Sequence, residues 1–135
     1  MARETIDKSS EHSDLHVKPE NAMAINLVQP VADVVTRANI QHLSWEMVRE
    51  GKNGTERTTV PLAAIIPTQQ VVDKERVAKH EEELRRGEGF EAGAPQPLAL
   101  LWQGDYFLLG GHHGLQAARN LGVRVVTIDV MTAPG

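Results

Sequence analysis

The sequence predicts an α+β fold, a small mixed β-sheet with flanking helices. Three observations point there. Short apolar or alternating runs, bounded by Gly, Pro and Asn-Gly, recur along the chain as strands do. Two segments with helix start and stop signals separate them. The resulting order of hairpin, helix, hairpin, helix and strand lacks the regular alternation of a doubly wound nucleotide fold.

Residues 1–21 are polar and charged, interrupted only by Ile6, Leu15 and Val17, and read as a flexible tail. Residues 22–57 form an N-terminal extension. Within it, Val31, Val34 and Val35 suit a short helix by spacing and a strand by β-branching, so both stand, with Pro30 breaking the segment. Leu43, Trp45 and Met47 fall at alternate positions, and Asn53–Gly54 is a hairpin turn signal. A hairpin is therefore expected, with Glu56–Leu62 as its return strand. Trp45 and Trp102 are expected in the core or half-buried on the sheet.

Residues 58–132 form the main domain. Pro67 ends the first ladder. Asp73 caps a helix over Lys74–Arg86, which has Arg85 and Arg86 in its last turn and Gly87 as its stop. A loop rich in Gly, Ala and Pro follows. Leu98–Trp102 and Tyr106–Leu109 read as paired strands across the Gly104–Asp105 turn. A second helix over His113–Leu121 stops at Gly122, and Val123–Val130 is the last strand.

Composition narrows the function classes. Hydrophobic residues make up 41% of the 135 residues and aromatics 4%, so the core is aliphatic. There is no cysteine, which rules out disulfides, thiolate metal sites and cysteine nucleophiles. The net charge of −4 disfavours DNA as a partner, although a local basic patch stays compatible with it. No apolar run approaches the ~20 residues of a membrane span. The N-terminus lacks the apolar stretch of a secretory signal. A soluble cytoplasmic protein with no membrane partner is expected.

The informative segment runs from Tyr106 to Gly122. A strand enters Gly110–Gly111, and a helix begins at once with His112 and His113. Glycines let a backbone bend sharply and approach a ligand. The helix start beyond them presents unpaired N–H groups and a positive dipole end, which suit an anion. The two histidines can donate to phosphate or bind a metal. Being adjacent, they point about 100° apart on a helix and do not grip one ion together. No metal site is expected.

This segment resembles the ParB/sulfiredoxin superfamily. Sulfiredoxins carry Gly-Gly-Cys-His-Arg at such a junction, ParB proteins Gly-Glu-Arg-Arg, and related phage and plasmid proteins Asp-Gly-His-His-Arg. This chain reads Gly110-Gly111-His112-His113-Gly114. Val60–Pro67, Asp73–Val77, Leu98–Phe107 and Val123–Val130 complete the frame, which covers about residues 58–132. There are two departures. His112 stands at the position of the sulfiredoxin cysteine, so sulfinic-acid reduction is closed to this protein. Gly114 stands at the usual Arg, which removes a bidentate phosphate ligand. No ParB-type helix-turn-helix segment follows before Gly135, so centromere binding is not expected.

The resemblance implies a nucleotide, ATP or another nucleoside triphosphate with Mg²⁺. Gly110, Gly111 and His113 would hold the phosphates. Thr68 and Gln69 would line the nucleotide through the loop before the first family helix. Arg76, at the family's basic position, would neutralise charge, helped by Lys79 on the same helical face. The other reading of Arg76 and Lys79 is a solvated face paired with Glu75, Glu82 and Glu83. His112 and Asp73 are the candidate catalytic groups, although an Asp at this position is more often a helix cap than a base. Two functions stand. One is a Mg-dependent nucleotide hydrolase, phosphotransferase or nuclease. The other is a degenerate module that acts on a partner protein as an accessory or inhibitory factor of a phage or plasmid. A homodimer is left open.

Overall fold

A computed structural model of the chain describes residues 17–88 and 96–134. The fold is α+β, with three helices, a mixed five-stranded sheet and a two-stranded ribbon among the described residues. The ribbon pairs β1 (Ala22–Ala24) antiparallel with β4 (Val71–Asp73). The main sheet contains β2 (Glu56–Pro61), β3 (Ile65–Ile66), β5 (Leu98–Trp102), β6 (Asp105–Gly110) and β7 (Val125–Thr132). Its order is β2-β7-β5-β6-β3. The β2–β7 and β5–β6 pairs are antiparallel, whereas β5–β7 and β3–β6 are parallel.

Strand side chains alternate between the two faces of the sheet. One face carries Val60, Ile65, Ala99, Leu108, Ile128 and Val130, covered by Leu115 and Ala118 of α3 (His112–Asn120). The other carries Leu100, Phe107 and Met131, covered by Ile40 and Met47 of α1 (Val34–Arg49). Helix α2 (Lys74–Arg85) packs on α3, where Val77 and Ala117 join Val72 of β4 in a small cluster. The result is helix, sheet and a helix pair in three layers.

The expected hairpin over residues 43–62 does not form. Residues 43–49 are the last two turns of α1, and β2 pairs with β7 at the far end of the chain. The alternation of Leu43, Trp45 and Met47 spans too few positions to outweigh a helical pattern that contains it. Ile40, Leu43 and Met47 recur at helical spacing and face the core. Asp33 caps the start, its carboxylate accepting from the Thr36 N–H at 2.8 Å. Trp45 lands on the outer face at 59% exposure, a correction to its expected place in the core or sheet. Asn53–Gly54 lies in the loop between α1 and β2. The open segment around Val31–Val35 resolves as the lead-in and first turn of α1.

The later elements follow their sequence signals. Asp73 caps α2 with Oδ1, accepting from the N–H groups of Glu75 at 2.9 Å and Arg76 at 3.4 Å. β3 stops at Ile66 before Pro67, and β5 and β6 pair across a tight turn at Gln103–Gly104. Of the expected tail, residues 1–16 lie outside the described residues. So do residues 89–95 of the loop before β5.

Gln116 ties an early segment of the protein to α3. It is 2% exposed, and its amide brackets Asn26. Oε1 accepts the Asn26 N–H at 2.5 Å, and Nε2 donates to the Asn26 carbonyl at 3.2 Å. Nε2 also donates to Asn120 Oδ1 at 2.9 Å. Gln116→Leu keeps the volume but strands these partners. It should cost about 1–2 kcal/mol, read as a lower urea midpoint at unchanged slope.

Candidate functional site

The turn from β6 into α3 rests on one glycine. Gly111 has φ 92° and ψ 21°, a left-handed conformation that L side chains rarely adopt. A Cβ there would also lie 2.9 Å from both Cα and Cβ of Pro97. Local conformation and packing each demand glycine here. Gly110 differs, since a Cβ on it meets nothing within 4 Å.

Helix α3 starts with no side-chain cap and no acidic residue in its first turn. Its first two side chains turn inward. His112 is 3% exposed and His113 is 5% exposed. His112 Nε2 accepts the Thr68 N–H at 3.0 Å, and His113 Nε2 accepts the Asp73 N–H at 3.0 Å. A backbone N–H can only donate, so both Nε2 atoms carry lone pairs and both rings hold their proton on Nδ1. Burial, with the neighbouring His113 second, lowers His112 from its ordinary value near 6.5 to about 3. It is a neutral imidazole throughout the physiological range.

The Asp73–His113 bond sets the start of α2 beside the start of α3. Further along, Asn120 near the end of α3 donates to Glu81 of α2 at 2.7 Å. The two helices thus run in the same direction, and their positive dipole ends converge where the 67–73 segment crosses. The other residues picked from the sequence surround this point. Thr68 lies in the crossing loop, its hydroxyl donating to the Leu108 carbonyl at 2.5 Å. Gln69 folds over the same loop, Nε2 donating to the Val71 carbonyl at 2.6 Å. Arg76 and Lys79 are exposed on the first two turns of α2. A Cβ on Gly114 would sit 3.9 Å from His80 Nδ1, so a side chain fits there.

The arrangement brings Thr68, Asp73, Gly111, His112 and His113 together, with Arg76 and Lys79 on the adjoining helix. It engages them differently from the roles expected of them. Both histidines present acceptors to the backbone rather than donors to a ligand. Asp73 is engaged as a helix cap, and His112 lacks a proton at Nε2 for acid catalysis. Sequence reasoning missed Gln116, whose one signal is its i, i+4 spacing from His112 on the buried face. No group of three or more His, Asp or Glu residues suited to a metal occurs among the described residues. No helix among them is long and apolar enough to cross a membrane. No protein-family model matches the chain, and no curated protein is significantly similar to it.

The two glycines separate by mutation. Gly111→Ala should cost about 1–3 kcal/mol from backbone strain and the Pro97 contact, whereas Gly110→Ala should be nearly neutral. Chemical denaturation of both variants reads this difference.

The buried imidazole also sets a pH dependence. Above about pH 6.5 His112 is neutral both folded and unfolded, so its full contribution to stability is present. As pH falls from about 6.5 towards 3, the unfolded chain takes up a proton that the folded site refuses. Stability is lost across that window, at a limiting slope of about 1.4 kcal/mol per pH unit. His112→Gln keeps an acceptor without titrating. Its stability should change less than the parent's between pH 7 and 5, a window taken from the same shift.

Proposed function

We propose that this chain is a ParB/sulfiredoxin-like module that binds the phosphates of a nucleoside triphosphate where the starts of α2 and α3 meet. The observation that carries the reading is the 3.0 Å bond from the Asp73 N–H to His113 Nε2, which joins two parallel helices at their positive ends. Such a junction suits an anion. Arg76 and Lys79 add mobile cations beside it. The order of β2, β3, β4, α2, β5, β6, α3 and β7 over residues 56–132 also supports the family reading.

On this reading the nucleotide is a ligand rather than a substrate. Catalysis of phosphoryl transfer needs a base or water-positioning group and a held Mg²⁺. Mg²⁺ is usually taken by one or two carboxylates together with the phosphates. Of the two carboxylates at the start of α2, Asp73 is engaged as the cap and Glu75 is exposed, and no metal-suited group of His, Asp or Glu gathers there among the described residues, so the residues present do not fit a resident ion. DNA is disfavoured by the net charge of −4.

A second reading has its own support. Gly114 lacks the family guanidinium, and α1 exposes Val34, Val35, Trp45 and Val48 on its outer side. Exposed apolar groups on one helix are what a partner protein would cover. A surface-acting accessory module follows from that.

Calorimetric titration with ATP, CTP and GTP, with and without Mg²⁺, separates the readings. One nucleotide should bind, with no phosphate released over hours. Arg76→Ala should weaken it by about tenfold to a hundredfold, the equivalent of losing a charge-assisted contact of ~1.5–3 kcal/mol. Gly114→Arg should tighten it, because helix side chains lean towards the N-terminus and there is room for one here. Silence from all three nucleotides, in the parent and in Gly114→Arg, leaves the accessory-module reading.

A further inference from the structure

The sequence has one asparagine followed by glycine, Asn53–Gly54, and its setting differs from every other described asparagine. Both residues are exposed in the loop between α1 and β2, outside any helix or strand. A Cβ built on Gly54 meets nothing within 4 Å, so the segment has open space around it. Nothing in the described hydrogen-bond pattern holds the Gly54 N–H. The nearest backbone anchor on the helix side is Lys52, whose N–H donates to the Met47 carbonyl at 2.7 Å.

The other asparagines are followed by bulkier residues, and three of them by an N–H that is in use. After Asn21, the Ala22 N–H donates to the Pro19 carbonyl. Asn39 precedes Ile40 in the middle of α1, where helix bonding holds the amide. After Asn120, the Leu121 N–H donates to the Ala117 carbonyl at 3.1 Å. Asn26 precedes the buried Leu27, and its own backbone is bracketed by Gln116.

We propose that Asn53 is a site of spontaneous deamidation, which converts this loop to an aspartate and isoaspartate mixture in the folded protein. The Gly54 backbone nitrogen loses its proton to water or hydroxide and attacks the amide carbonyl carbon of the Asn53 side group. A new bond between that nitrogen and that carbon closes a succinimide ring. The bond from the same carbon to the amide nitrogen of Asn53 breaks, with release of ammonia. Water then opens the ring at either carbonyl, giving aspartate or the β-linked isoaspartate. Water is the one co-reactant, and no oxidant or reductant is needed. Glycine at position 54 matters because it has no side group to crowd the attacking nitrogen and the widest backbone freedom to reach the attack geometry.

The fold tolerates either product. Isoaspartate lengthens the backbone by one methylene, and the change falls between the last anchor of α1 and Glu56, where the β2–β7 ladder begins. Each product adds one negative charge near the C-terminal end of α1, beside the Lys52–Glu50 pair at 3.6 Å. The product is therefore a folded, more acidic form of the protein. Its isoaspartyl bond is exposed to methyl transfer by an isoaspartyl-directed methyltransferase.

The test uses the full-length protein, held warm in mildly alkaline and mildly acidic buffer, then mapped by peptide mass and by methyl incorporation with a purified isoaspartyl methyltransferase. The amide-to-acid mass gain should appear at Asn53 before any other asparagine, faster in the alkaline sample, with an unchanged thermal midpoint. Gly54→Ala should slow it by about tenfold, the factor given by a barrier higher by ~1.4 kcal/mol. Asn53→Gln should abolish the early methyl incorporation. An intact Asn53 in the folded protein, alongside conversion in the urea-unfolded protein, overturns the proposal. So does conversion of Asn26, Asn39 or Asn120 at the same rate.

Discussion

A buried polar side chain must find a partner or it costs stability, and α3 buries three of them. His112 and His113 take backbone partners from the 67–73 segment, at Thr68 and Asp73, and Gln116 takes one from Asn26 near the start of the described residues. Those partners are 44, 40 and 90 residues away in the sequence. The rest of the fold hangs on this polar side of α3. Its apolar side, Leu115 and Ala118, only needs a sheet to lie on. The polar side specifies which loops lie against it and in what register. That is how a ribbon as small as β1–β4, with three residue pairs, keeps a fixed place beside the helices.

Setting α2 and α3 side by side in the same direction brings two positive dipole ends together, which is unfavourable unless something offsets it. Part of the offset is local. The Asp73 carboxylate caps α2, and two imidazole lone pairs face N–H groups at the junction. A protonated ring there would point a donor at a donor. Burial, with the neighbouring His113 second, is what lowers His112, and its hydrogen bond from the Thr68 N–H suits the same neutral ring. Because the imidazoles face inward, an anion at this junction has backbone N–H groups and the α2 cations to meet.

What the sequence revealed and what it hid divide along physical lines. The Asp73 cap, the left-handed Gly111 and the β5–β6 turn are local events, settled by a few neighbouring residues, and they were legible. The helical character of Leu43–Arg49 was hidden because a short run satisfies both a period of two and a period of 3.6. Only the sheet face opposite, Leu100, Phe107 and Met131, decides between them. The histidines were legible as important but not in their role. Whether a polar side chain at a helix start faces a ligand or a loop depends on what crosses in front of it. Here the crossing segment comes from residues 67–73, far away in sequence. Gln116 was hidden for the same reason.

The two surfaces proposed to bear on function lie on opposite sides of the main sheet, since residues alternate along its strands between the α1 layer and the α3 layer. They still share a joint. Ile65 points to the α3 side and Ile66 to the α1 side. The Pro67 carbonyl then accepts the Ala32 N–H at 2.9 Å just before α1, and the Thr68 N–H reaches His112. Four successive residues thus tie the start of α1 to the start of α3. A tie this short, with its polar groups satisfied on both sides, acts as a rigid brace. Transmission of a signal requires an element with two arrangements of similar energy, and a brace with one satisfied arrangement does not supply it. Binding proposed at the α2–α3 junction and contacts proposed for the outer face of α1 would therefore be thermodynamically independent of one another.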